Sequence, residues 1–113
     1  MAKLRRYNGN YILEIENGKY REYNGNYLYE LDRNKLRRYC SNYLYEFDGS
    51  IIKEYCGQPL LEFDGRYLKR YCGRPLYEVD GNKIREYCGN YLYEIEGHLS
   101  GKELMGLLAI LYA

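Results

Sequence analysis

Aligned on itself at a spacing of sixteen residues, the chain agrees with itself in nearly every column, and a period of that length restricts the fold to one small supersecondary unit used again and again. The units begin at Lys3, Lys19, Lys35, Ile51, Tyr67 and Lys83, giving six copies over residues 3–18, 19–34, 35–50, 51–66, 67–82 and 83–98. The fifth column is always Tyr (Tyr7, Tyr23, Tyr39, Tyr55, Tyr71, Tyr87) and the twelfth always Glu (Glu14, Glu30, Glu46, Glu62, Glu78, Glu94). The third is Arg or Lys and the fourteenth is acidic in every copy. Each unit carries a Gly-Asn type pair, such as Gly25-Asn26 or Gly89-Asn90, and a second turn group that opens on an acid, such as Asp48-Gly49-Ser50 or Asp80-Gly81-Asn82. Both are hairpin-turn chemistry, because Gly and Asn tolerate the positive φ of tight turns. Two strands of about six residues and two turns of about two fill a unit and leave no room for a helix in it. The expected fold is all-β: about twelve short antiparallel strands in a curled or ring-like meander of six hairpins.

Two-residue turns on both sides of every strand would set column two opposite thirteen, three opposite twelve and five opposite ten. Ile84 would then face Val79 and Ile95, Arg85 would face Glu78 and Glu94, and Tyr87 would face Leu76 and Leu92. Glu62 would lie between Lys53 and Lys69. Alternation gives one face the Arg and Glu rows with a Tyr and Leu row, and the other an aliphatic row (Leu31, Leu36, Phe47, Ile52, Phe63, Leu68, Val79, Ile84) with Tyr29, Tyr45, Tyr77, Tyr93 and the Cys positions. The aliphatic face is the expected interior. Pro59 and Pro75 fall where a strand starts, a position that tolerates a missing amide.

The period stops after Glu96-Gly97-His98. Ser100-Gly-Lys-Glu103 reads as a capping box flanked by Leu99 and Leu104, so residues 99–113 form a short helix within the same domain. From Leu104 onward that helix is apolar nearly all round, which requires burial. Its length of roughly 18 Å matches a strand of roughly 20 Å, and a ring of twelve strands has room for it along the axis. Two arrangements follow: a closed ring with the helix on its inner face, or an open sheet whose helix mediates dimerisation. Identical register at both bends accumulates no stagger, which an ordinary barrel needs. Closure therefore calls for bulges at the turns or for hairpins splayed like petals.

Tandem Tyr-rich, Asp-Gly-turned hairpins, as in Lys83-Ile-Arg-Glu-Tyr-Cys-Gly-Asn-Tyr-Leu-Tyr-Glu-Ile-Glu-Gly97, followed by a terminal Leu-rich helix, resemble the bacterial "beta flower" hairpin-repeat proteins. The resemblance spans residues 3–113. It implies a petal-like all-β ring and carries no established activity. Choline- and glucan-binding repeats are less similar, since they rely on Trp, which this chain lacks.

Charge and composition narrow the function classes. Seventeen basic and sixteen acidic residues leave a net charge of +1, with no field to favour nucleic acid or an anionic membrane. No apolar stretch follows Met1-Ala-Lys-Leu-Arg-Arg, so the expected compartment is the cytoplasm, with reduced thiols. The run from Leu104 to Ala113 is too short for a membrane-spanning helix.

Cys40, Cys56, Cys72 and Cys88 share the sixth column, where the first two units carry Asn8 and Asn24. They read as small reduced residues before a turn; a four-thiolate metal site or disulfides are the alternatives. His98, the only histidine, has no nucleophile placed beside it. The Glu row is flanked by basic residues, which lowers carboxyl pKa values and marks a charge ladder rather than catalytic acids. Tyr29, Tyr45, Tyr77 and Tyr93 form a candidate ligand surface, since aromatic and basic side chains together suit recognition. The expectation is a non-enzymatic structural or protein-interaction module without a cofactor, meeting another protein or a second copy of itself. Carbohydrate binding through Tyr rows and a thiolate metal site are the alternatives.

Overall fold

A computed structural model describes residues 1–112. Its strands are β1 (Ala2–Arg6), β2 (Tyr11–Glu16), β3 (Lys19–Glu22), β4 (Tyr27–Asp32), β5 (Lys35–Arg38), β6 (Tyr43–Asp48), β7 (Ile51–Glu54), β8 (Pro59–Phe63), β9 (Tyr67–Arg70), β10 (Pro75–Asp80), β11 (Lys83–Glu86) and β12 (Tyr91–Glu96). Helix α1 (Gly101–Tyr112) follows. Each strand pairs antiparallel with its neighbours in sequence, and β1 pairs with β12, so the meander closes into a barrel. The open-sheet arrangement is thereby excluded. Pro59 and Pro75 open β8 and β10, where their missing amides are tolerated.

Between units the register is the expected one. Asn17 and Gly18, with φ of 53° and 77°, make a two-residue turn that sets Glu16 opposite Lys19 and Ile15 opposite Tyr20. Val79 likewise faces Ile84, and Glu78 faces Arg85.

Within units the register departs from the expectation. Ile84 lies opposite Tyr93 rather than Ile95, and Lys83 takes the place expected of Arg85 opposite Glu94. Glu62 faces Lys69 on one side and Ile51 on the other, while Lys53 is paired with Pro59. Tyr87 leaves the ladder, although its N–H still donates to the Leu76 carbonyl at 3.1 Å. The cause is the second turn. Its sixth-column residues, Asn8, Asn24, Cys40, Cys56, Cys72 and Cys88, all take φ between 54° and 57°. The next N–H returns to the carbonyl three residues back, as from Gly57 to Glu54 at 2.9 Å. A Cβ on Gly57 would stand 2.9 Å from the Glu54 Cβ, which is why the seventh column favours glycine. The turn thus consumes four residues, β3, β5, β7, β9 and β11 keep only four, and a bulge follows column two.

That bulge resolves the difficulty of closure. Lys3 pairs with Glu14 across the hairpin, and Glu14 with Arg21 across the junction. Each hairpin therefore advances the register from the first column to the third. Six such steps accumulate a stagger of about 12, equal to the strand number, the ratio at which barrel strands tilt roughly 36°.

The second-column ring of Leu4, Tyr20, Leu36, Ile52, Leu68 and Ile84 is at most 1% exposed and forms the inner wall with Ile15, Phe47, Phe63, Val79 and Ile95. Four consecutive helical residues, Gly106, Leu107, Leu108 and Ala109, are buried. At 100° per residue they cover the full circumference, so α1 is enclosed on all sides as a plug. The body measures 36 × 35 × 20 Å, and its thickness matches the length of α1.

The expected capping box holds the start of α1. The Glu103 N–H donates to Ser100 Oγ at 3.1 Å, and the Ser100 N–H donates to Glu103 Oε1 at 3.0 Å. The other Glu103 oxygen accepts the Gly18 N–H at 2.9 Å, tying the plug to the β2–β3 turn. Tyr20, the one aromatic residue in the second column, donates its hydroxyl to the Glu103 carbonyl at 2.6 Å. Gly106 makes room for it, since a Cβ there would lie 2.3 Å from the Tyr20 oxygen.

Candidate functional site

The outer wall carries two bands set by column. The third and twelfth columns form one ion pair at each of the six unit junctions. They are Arg21–Glu14 at 2.8 Å, Arg37–Glu30 at 2.7 Å, Lys53–Glu46 at 3.8 Å, Lys69–Glu62 at 3.6 Å, Arg85–Glu78 at 2.6 Å and Arg5–Glu94 at 2.7 Å. The last spans the seam between β1 and β12. Glu78 also receives Arg66 at 2.6 Å and is 2% exposed. Hydrogen bonds from Arg85 and then Arg66 hold its carboxyl below the usual carboxylate range. Through its ion pairs the Glu row ties each unit to the next.

The second band is aromatic. Fifth-column and ninth-column rings meet across the junctions as Tyr11–Tyr23 at 4.9 Å, Tyr27–Tyr39 and Tyr43–Tyr55 at 5.0 Å, and Tyr7–Tyr91 at 5.2 Å between centroids. Lys3 lies over Tyr11 and Tyr23, and Lys35 over Tyr43 and Tyr55, within 5.8 Å. The first-column lysines thus sit over rings as well as beside the Glu row. Hydroxyls of Tyr11, Tyr43 and Tyr91 donate to Glu96, Asp32 and Asp80 of the preceding unit. These acids raise the Tyr11 and Tyr43 phenol pKa values by accepting their hydrogen bonds. The band is interrupted where Pro59 and Pro75 take the ninth column; there Tyr87 meets Tyr67 edge-on at 5.7 Å. Tyr7, Tyr23, Tyr27, Tyr39, Tyr55, Tyr71, Tyr87 and Tyr91 are each 36–47% exposed, making a belt around the barrel. Strict alternation puts the ninth column on the inner face with the eleventh. The bulge turns it outward beside the fifth column, which alternation already puts on the outer face, so only the ninth-column part of the belt is hidden from the sequence.

Tyr29, Tyr45, Tyr77 and Tyr93 lie on the inner wall, half-buried against the core around α1. They stand opposite Arg38, Glu54, Glu86 and Arg6 near the end of the barrel formed by the Tyr-Cys-Gly-Asn type turns. At this mouth Leu76, Tyr77, Glu86, Leu92 and Tyr112 line a depression, and the Arg70 guanidinium is 6.0 Å from the centre of the Tyr112 ring.

Cys40, Cys56, Cys72 and Cys88 are exposed free thiols on four successive turns of the mouth's rim. They sit within the turn, at its left-handed residue, rather than before it. Neighbouring turns are two strands apart, roughly 10 Å, beyond the span of a disulfide. Among the described residues no three His, Cys, Asp or Glu side chains gather as a metal set. His98 is exposed at the opposite end, beside the helix cap, in a depression shared with Glu16, Lys102 and Glu103. Among the described residues no helix is long and apolar enough to cross a membrane.

Comparison of the chain with models of protein families, with curated proteins and with solved structures finds no match.

Proposed function

We propose that this chain is a non-enzymatic protein-interaction module of the beta-flower type, working in the cytoplasm, whose outer tyrosine belt is the contact surface. The observation that supports this reading is the belt itself: eight exposed rings in register around a rigid closed wall. Tyr supplies large amphipathic contact area at little conformational cost, and the stacks and lysine contacts hold the rings in place before a partner arrives. The test compares wild type with a belt variant, Tyr23→Ser/Tyr27→Ser/Tyr39→Ser/Tyr55→Ser, that keeps its β circular dichroism. Proximity labelling in the native host should yield a partner set that the variant loses, and equal labelling by the two proteins refutes the belt.

Carbohydrate binding is the second reading, favoured by Tyr71. That ring is 44% exposed, and the position where other units supply a stacking partner is held by Pro59. A glycan array, with Tyr71→Ala as control, separates the two. Binding by wild type that the control abolishes would transfer the function to sugar recognition. A thiolate metal site on Cys40, Cys56, Cys72 and Cys88 would need sulfurs within about 4 Å of one another, against turns roughly 10 Å apart, and elemental analysis of the purified protein tests it.

A further inference from the structure

The fourth column of the repeat reads Arg6, Glu22, Arg38, Glu54, Arg70, Glu86. Its charge alternates with a period of two units, and because the barrel closes on an even number of hairpins the alternation continues across the seam from Glu86 to Arg6. The column follows the buried second column on the same strand face and stands opposite the inward eleventh column, which places it around the mouth. All six side chains are exposed, and none makes an ion pair among the described residues. Neighbours in the ring belong to hairpins roughly 10 Å apart, so alternation within one ring yields only screened attraction. The third and twelfth columns are paired at every junction; this one is left open.

A ring of this kind is its own complement. Turned over about an in-plane two-fold axis that passes between adjacent hairpins, it sets each Arg above a Glu and each Glu above an Arg. This is an isologous match. We infer that the mouth is a homodimer interface, in which two copies of this chain stack mouth to mouth and close the six charges of one ring against the six of the other. The face available is 36 by 35 Å, of order 900 Å², comparable with the ~800 Å² per partner of a standard interface. Beside this ring the half-buried Leu76, Tyr77, Leu92 and Tyr112 add apolar surface to the face. The inference deepens the interaction-module reading by naming a second copy as the occupant of the mouth. It leaves the outer belt free, so its failure would not touch the belt.

The experiment is a charge swap read by sedimentation velocity. Wild type should sediment at twice the 13.6 kDa chain mass at micromolar concentration, with salt weakening the association. An all-acidic ring (Arg6→Glu/Arg38→Glu/Arg70→Glu) and an all-basic ring (Glu22→Arg/Glu54→Arg/Glu86→Arg) should each be monomeric, with a dimer constant weakened at least about 100-fold. An equimolar mixture of the two should restore the dimer. Far-ultraviolet circular dichroism checks that each variant is folded. A short bismaleimide gives a second readout, because every such axis sets odd hairpins over even ones. Crosslinked dimers should join Cys40 or Cys72 to Cys56 or Cys88. Wild type that stays monomeric to about 500 μM, far above the useful range of a specific dimer, overturns the inference. So do single-sign rings that dimerise as well as wild type, or like-with-like crosslinks such as Cys40 to Cys40.

Discussion

Gly106→Ala tests the plug at its tightest point. In an isolated helix the change is favourable by about 1 kcal/mol. Here the new Cβ would lie 2.3 Å from the Tyr20 oxygen and 3.1 Å from its Cζ. Tyr20 is fully buried in the inner wall and cannot swing into solvent, so either ring or helix must shift. Such overpacking costs about 1–3 kcal/mol. Losing the hydroxyl bond to the Glu103 carbonyl adds about 1–3 kcal/mol for a buried donor left unmet. Set against the propensity gain, the net loss is about 1–5 kcal/mol. Tyr20→Leu installs the residue found in this column at Leu4, Leu36 and Leu68 and removes the obstructing oxygen, costing about 1–2 kcal/mol on its own. In the double variant the clash is gone, and stability should return to near that of Tyr20→Leu, a coupling of at least about 1 kcal/mol. Urea unfolding of all four proteins, with midpoints and slopes fitted separately, measures it. If Gly106→Ala alone unfolds at or above the wild-type midpoint, or if the two changes simply add, Tyr20 does not hold the helix in the manner described.

Three further outcomes follow from the turns and ties. Hydrogen bonds from Arg85 and Arg66 lower the Glu78 pKa, and the backbone N–H groups of Tyr67 and Arg66 lower that of Asp64. Groups depressed in the folded state stabilise it above their unfolded pKa. Thermal midpoints should therefore hold from pH 7 to 5 and fall below roughly pH 4, and Glu78→Gln should flatten that fall; an unchanged acid limb would sink the assignment. Arg33 is held at φ 61° in the β4–β5 turn, where other units have Gly49 or Gly81, so Arg33→Gly should raise stability in urea by about 0.5–1 kcal/mol. Replacing Cys40, Cys56, Cys72 and Cys88 together with Asn, the residue that adopts the same φ at Asn8 and Asn24, should leave the thermal midpoint unchanged or higher. A loss above about 2 kcal/mol would mean the thiols do more than fill a turn.

The columns that pack were legible in the sequence, because each obeys one local rule. The aliphatic columns, the Asp-Gly turns, the pairing of Val79 with Ile84 and the Ser100–Glu103 box depend on neighbours joined by two-residue turns or by one helical turn. The within-unit register was not legible. Tyr-Cys-Gly-Asn and a two-residue Gly-Asn turn look alike until it is known that Cys88, a residue with no marked preference for positive φ, occupies that region. Once the turn moves, parity changes along the second strand, and Tyr91 passes from the expected inner face to the outer belt. Tyr20 was unreadable for a different reason. It breaks its column, and only the folded helix shows that Gly106 breaks the apolar run at the same height.

The four-residue turn is also what makes the number of repeats meaningful. With a fixed advance from first to third column per hairpin, stagger grows in proportion to strand number, so the tilt is the same for any count and only the radius changes, by roughly 1.7 Å per hairpin. Six hairpins give a radius of about 10 Å, the distance at which a helix packs against a surrounding wall. Five would crush the residues between Leu104 and Leu111 against the second column, and seven would leave a void around them. An odd count would also bring two like charges together at the seam of the fourth column. The left-handed residue in each turn, the bulge it forces, the calibre that admits α1 and the unbroken alternation of Arg6 through Glu86 are therefore linked. Adding or deleting one sixteen-residue unit should cost the protein its ordered plug even though every hairpin keeps its own sequence.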